Sequence, residues 1–137
     1  MEPIQGFEDL ESKVRYLERF RRLVEESPAI IWAFDEVNGR MVYLNPAVEV
    51  ILGFERKLFF DKPAFWFELI HADDRPHASS LNFVMREEKR VISYTLRFRR
   101  ADGSYIELTT IVKPLYDAKG RLVRTEGAAV YTGAGED

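Results

Sequence analysis

His71, Asp73, Asp74 and His77 crowd one short segment of the chain. Imidazole and carboxylate groups at that density are a donor set for a divalent metal, or an acid and a base for proton transfer. Ser79 and Ser80 follow at once, but a hydroxyl beside an imidazole in sequence is not a triad by any spacing argument. The simpler reading is structural: Asp73 and Asp74 precede a helix, where carboxylates accept from free N–H groups and oppose the dipole. No nucleophile or oxyanion site is legible beside them, so no catalysis is expected. Arg97, Arg99 and Arg100 form a second group able to meet phosphate, yet Arg alternating along a strand reads as a solvated face. With 20 Lys+Arg against 23 Asp+Glu the net charge is −3, and nothing calls for nucleic acid. The chain has no cysteine, which removes disulfides, thiolate zinc sites and thiol nucleophiles.

The elements that would position these groups are legible in outline. At 137 residues, 46% hydrophobic and 13% aromatic, the chain reads as one domain with an aromatic-rich core. Phe7, Leu10, Val14 and Leu17 recur at helical spacing, and Phe20, Leu23 and Val24 form a second, rotated cluster. That break predicts a leading helix followed by a shorter one, the first lying on its own domain or pairing with a second chain. Ser27-Pro28 ends the helical stretch. Ala29–Asp35 and Met41–Leu44 flank the turn residues Val37-Asn38-Gly39-Arg40 and read as a β-hairpin. Asn45-Pro46 is expected to open a helix, Asn capping it, with Gly53 stopping it. Short helices are expected around Pro63, and an amphipathic helix over Leu81, Val84 and Met85. Period-two alternation from Ile92 to Phe98, then Tyr105 to Lys113, then Leu122 to Tyr131 predicts three more strands. Residues 1–19 are expected to form the leading helix, 20–132 the domain, and 133–137 a frayed tail.

This order of elements, with particular residues at particular spacings, resembles the PAS domain family. The residues that carry the resemblance are Tyr43-Leu44-Asn45-Pro46-Ala47, Ile51-Leu52-Gly53-Phe54, Leu69-Ile70-His71-Ala72-Asp73-Asp74-Arg75, and Leu96-Arg97-Phe98-Arg99-Arg100-Ala101-Asp102-Gly103-Ser104. Pro114, Asp117, Gly120 and Gly127 complete the pattern. Each piece is weak alone; their order and spacing over about Phe20 to Tyr131 make the match specific. The resemblance implies an α+β fold with a five-stranded antiparallel sheet, short helices on one face and a leading N-terminal amphipathic helix. It implies sensing rather than catalysis. Tyr131-Thr132 stands where many members carry an Asp-Ile-Thr segment that couples the domain to its output, so that coupling is either missing here or uses other residues.

A sensor of this kind would hold its ligand between the helices and the inner face of the sheet. Trp32, Phe34, Trp66, Phe83, Tyr94, Phe98 and Ala128 are the expected lining; Gly127-Ala128-Ala129 leaves room beside large residues. The same aromatics could simply fill a packed core, and the room could belong to a neighbouring Phe or Trp; the domain would then be a ligand-free dimerisation or protein-docking module. Flavin-cysteinyl photochemistry, which the light-sensing members use, is excluded by the absence of cysteine. Non-covalent flavin has no residue in its favour, and haem would need His77 as its axial ligand. Phe7, Leu10, Val14 and Leu17 are the expected homodimer seam. The resemblance further implies an effector domain in a parent protein, such as a histidine kinase or a diguanylate cyclase. The acidic N-terminus lacks an apolar signal region, and no apolar run approaches bilayer length, so a cytoplasmic location without membrane contact is expected.

Overall fold

The computed structural model describes residues 9–131. Its elements follow in the order α1 (Leu10–Glu26), β1 (Ile30–Asp35), β2 (Arg40–Leu44), α2 (Ala47–Leu52), α3 (Arg56–Asp61), α4 (Phe65–Glu68), a 3-10 turn (Ala72–Asp74), α5 (Arg75–Glu88), β3 (Ile92–Arg99), β4 (Tyr105–Tyr116) and β5 (Leu122–Tyr131). The strands form one sheet in the order β2-β1-β5-β4-β3, antiparallel throughout. Alternation sets its faces. Ile92, Leu96 and Phe98 of β3, Ile106, Leu108 and Val112 of β4, and Thr125 and Ala129 of β5 turn inward and are buried. Residues between them, such as Ile111 and Val130, stay exposed.

α1 is one uninterrupted helix where the two apolar clusters pointed to two. Asp9 caps it, accepting from the Ser12 N–H at 2.7 Å. No Pro or Gly interrupts the backbone between the clusters, and a change of side-chain register does not break i→i−4 hydrogen bonds. None of its residues is buried; Leu10, Val14, Leu17, Phe20 and Leu23 are all exposed. Phe7 and residues 132–137 lie outside the described residues.

Asn45 does not cap α2 as expected. Pro46 occupies that position, and Asn45 is fully buried. Its Oδ1 accepts from the Ile31 N–H at 2.9 Å, while its Nδ2 donates to the carbonyls of Val24 and Ala29, each at 2.9 Å. One amide thereby joins the end of α1, the segment after it and β1. Next to it, the Tyr43 hydroxyl donates to the Glu25 carboxylate, and burial followed by this hydrogen bond pushes the Tyr43 phenol up to about 12. The Gly53 stop holds: its φ of 85° ends α2 in the left-handed region.

The inner layer divides in two. On one side a continuous chain of rings fills the space: Phe54 on Phe65, Phe65 on Phe59, Phe59 on Trp66, and Trp66 on Phe98 at 4.8 Å. On the other, Trp32 of β1 lies across Gly127 of β5. A Cβ built on Gly127 would stand 2.5 Å from Cζ2 of Trp32 and 2.5 Å from the Ile111 carbonyl oxygen. The room beside the small residues of β5 belongs to an indole. Gly127→Ala is therefore expected to lower stability by about 2–3 kcal/mol and to displace Trp32, read as a lower urea midpoint together with shifted tryptophan emission.

Candidate functional site

Between α5, the α3–α4 region and the β1–β2 side of the sheet lies a cavity of about 320 Å³. This is at the lower end of small-ligand sites, on the order of ten water volumes. Each wall has a local cause. Trp32 and Phe34 face inward at alternate positions of β1, Tyr94 and Ile92 at alternate positions of β3, and α5 presents Ala78, Leu81, Asn82, Met85 and Arg86, an i, i+3, i+4, i+7, i+8 stripe. Trp66 closes the side toward the ring chain, so it belongs both to the packed half and to the cavity.

Four expected lining residues, Trp32, Phe34, Trp66 and Tyr94, stand in this wall. Three do not. Phe83 is 65% exposed, because two residues from both Leu81 and Met85 is the far side of the helix. Phe98 is fully buried beneath Trp66 in the packed half. Ala128 pairs with Ile31 and Ile111 and alternates out of phase with the buried Thr125 and Ala129, which places it on the outer face. His77 is exposed and outside the wall, and no histidine lines the cavity, so the residues present do not fit an axially ligated haem.

One end of the cavity is polar. Glu36, just after β1, receives the Arg86 guanidinium at 3.0 Å through Oε1 and the Thr125 hydroxyl at 2.9 Å through Oε2. Tyr116 donates its hydroxyl to the Met85 carbonyl at 2.8 Å, a second tie between α5 and the sheet. Burial pushes the Tyr94 phenol up to about 12, so the cavity meets a protonated hydroxyl. The Trp32 indole N–H has no protein partner. The helical stripe was open to inspection in the sequence around Leu81 and Met85; Glu36 and Arg86, 50 positions apart, carry no local signal of their meeting.

The acidic segment after Ile70 is structural, though not by the expected caps. The His71 Nδ1 accepts from the Asp73 N–H at 3.0 Å, and Asp74 leaves the helix end to receive Arg97 through three hydrogen bonds, from its backbone N–H at 2.9 Å, Nε at 3.1 Å and Nη2 at 2.8 Å. Arg97 is thus a fixed partner rather than a solvated strand residue. Among the described residues no group of His, Asp and Glu is placed to hold a metal ion. The hydrogen bonds from Arg97 outweigh desolvation and hold the Asp74 carboxyl at about 2. Since this lies below the unfolded value, the pair's contribution is complete above about pH 4 and lost as pH falls through 2. Arg97 is partly exposed, which reduces the contribution to about 1–2 kcal/mol. Wild type should therefore lose more stability than Asp74→Asn between pH 5 and pH 2, measured by urea unfolding at each pH.

A family model described as PAS fold matches residues 41–129. The C4-dicarboxylate transport sensor protein DctS of Rhodobacter capsulatus is 28% identical over 120 residues, covering 81% of this chain and 17% of that protein. The chain therefore spans less than a fifth of that relative. Two solved structures share the fold. The N-terminal domain of a diguanylate cyclase with PAS/PAC sensor from Marinobacter aquaeolei superposes with a TM-score of 0.69 at 19% identity, over 75% of this chain and 94% of that one. A sensory box histidine kinase/response regulator from Burkholderia thailandensis gives 0.67 at 24% identity, over 83% and 84%.

Proposed function

Because this chain belongs to the PAS fold family, we propose that it is a sensory signalling module whose cavity binds a small molecule and whose α1 pairs with a second copy to regulate an effector. The cavity carries the reading: it is open space walled by Trp32, Phe34, Trp66 and Tyr94, between α5 and the inner face of the sheet. Fold relatives named as a diguanylate cyclase and a histidine kinase support an effector of one of those classes in the parent protein. The role is regulatory, not catalytic. α1 (Leu10–Glu26), which runs past the boundary expected after residue 19, serves as the connecting helix and the elements from β1 to β5 as the sensory domain, and the absence of cysteine fits work in the reducing cytoplasm.

The exposed apolar stripe of α1 supports pairing. Leu10, Val14 and Leu17 leave 76, 42 and 58% of their surface in water on a helix that buries none of its residues. Two such helices, packed side by side, would remove that surface. A ligand that repositions β1 or β2 would act on the pair through Asn45 and Tyr43, which bind both strands to the last turn of α1. In native mass spectrometry of the gently purified chain we expect a dimer carrying one retained small molecule per protomer. Leu10→Glu/Val14→Glu/Leu17→Glu should give a monomer that keeps the molecule. A monomeric wild type would defeat the pairing, and a wild type of bare polypeptide mass that also takes up none of 2-phenylethylamine, 2-phenylethanol and 3-phenylpropanoate would defeat the ligand role.

A further inference from the structure

The two charges at the cavity's polar end are not equivalent. The Glu36 side chain is only 15% exposed and is held from behind by Thr125, so its carboxylate is a fixed part of the wall and needs a counter-charge. Arg86 supplies that charge from outside. Its side chain is 44% exposed, and the Glu36 contact engages Nη2. A long side chain on the surface of α5 returns its guanidinium to water at little cost. The remaining wall is rich in rings, Trp32, Phe34, Trp66 and Tyr94, the residue types whose faces attract a cation.

We propose that the ligand is a small organic cation, an ammonium group on an apolar or aromatic body, which replaces Arg86 on Glu36. This rests on the reading of the cavity as a ligand site and adds the chemical class. A cavity of about 320 Å³ accommodates a body of roughly ten non-hydrogen atoms. The ammonium donates to the Glu36 carboxylate while the body lies among the rings. A carboxylate ligand would have to bind Arg86 beside Glu36 and meet a like charge at close range. A neutral ligand would leave the Glu36–Arg86 pair intact and draw nothing from it. Exchange of cations also gives binding a mechanical result: the Glu36–Arg86 contact, which ties the last turn of α5 to the sheet, opens when the ligand enters.

The test is an NMR titration of the full chain, following the two tryptophan indole N–H resonances, with three probes of similar size: 2-phenylethylamine, its neutral analogue 2-phenylethanol, and 3-phenylpropanoate. The amine is expected to bind at least tenfold more tightly than the alcohol. Glu36→Gln should bring the amine down to the level of the alcohol, and Arg86→Ala, which removes the competing cation, should tighten the amine several-fold. Equal binding of amine and alcohol would overturn the proposal while leaving the cavity a ligand site. So would tightest binding of the propanoate with loss in Arg86→Ala, which would make Arg86 the anchor. Failure of all three probes to shift either indole would overturn this proposal and the ligand role together.

Discussion

The buried amide of Asn45 is the joint on which the arrangement depends. A primary amide offers two donors and an acceptor oxygen, and here they go to three separate pieces of backbone: the Val24 carbonyl at the end of α1, the Ala29 carbonyl before β1, and the Ile31 N–H within it. The Asn45 N–H completes the set on the Ile31 carbonyl at 3.0 Å. The Val24 carbonyl also accepts from the Ser27 N–H at 3.3 Å, so the amide counts most at the Ala29 carbonyl and the Ile31 N–H, where a lost partner costs about 1–3 kcal/mol. Aspartate has the same shape but lacks the two donors, and leucine lacks all three functions. Through this residue an otherwise unburied helix is fixed to the sheet, with Tyr43 and Glu25 alongside as a second tie.

The inner face then has two jobs in two places. Around Phe98, at the far end of β3, it is solid, with rings in edge and tilted contact from Phe54 to Phe98. Between Trp32 of β1 and Tyr94 of β3 it is hollow, and Gly127 leaves the Trp32 indole its place, since a Cβ there would stand 2.5 Å from Cζ2. Trp66 touches both, and the cavity's far wall, α5, is held to the sheet by the Glu36–Arg86 and Tyr116–Met85 contacts.

What the sequence disclosed follows from the range of the forces involved. Strands β3, β4 and β5 were legible because one buried face imposes a period of two, and the Gly53 stop because a left-handed residue is a local demand. Asn45 misled because Asn-Pro is also a helix-start pattern; its real partners lie 14, 16 and 21 positions away, where no local rule reaches. Asp74 failed as a cap for the same reason, since Arg97, 23 positions on, offered a stronger partner than the helix end. Phe83 and Ala128 show the other limit. Residue type placed them in the cavity; one position of helical or strand phase placed them outside it.

With α1 attached to the sheet chiefly through Asn45, movement of β1 is felt in the helix. Amide hydrogen exchange on wild type and Asn45→Ala tests this most directly. In the variant, exchange is expected to accelerate from the last turn of α1 through Ile31, while the amides paired between β4 and β5 keep their protection. Unchanged exchange at the end of α1, or a uniform loss across the whole sheet, would contradict it.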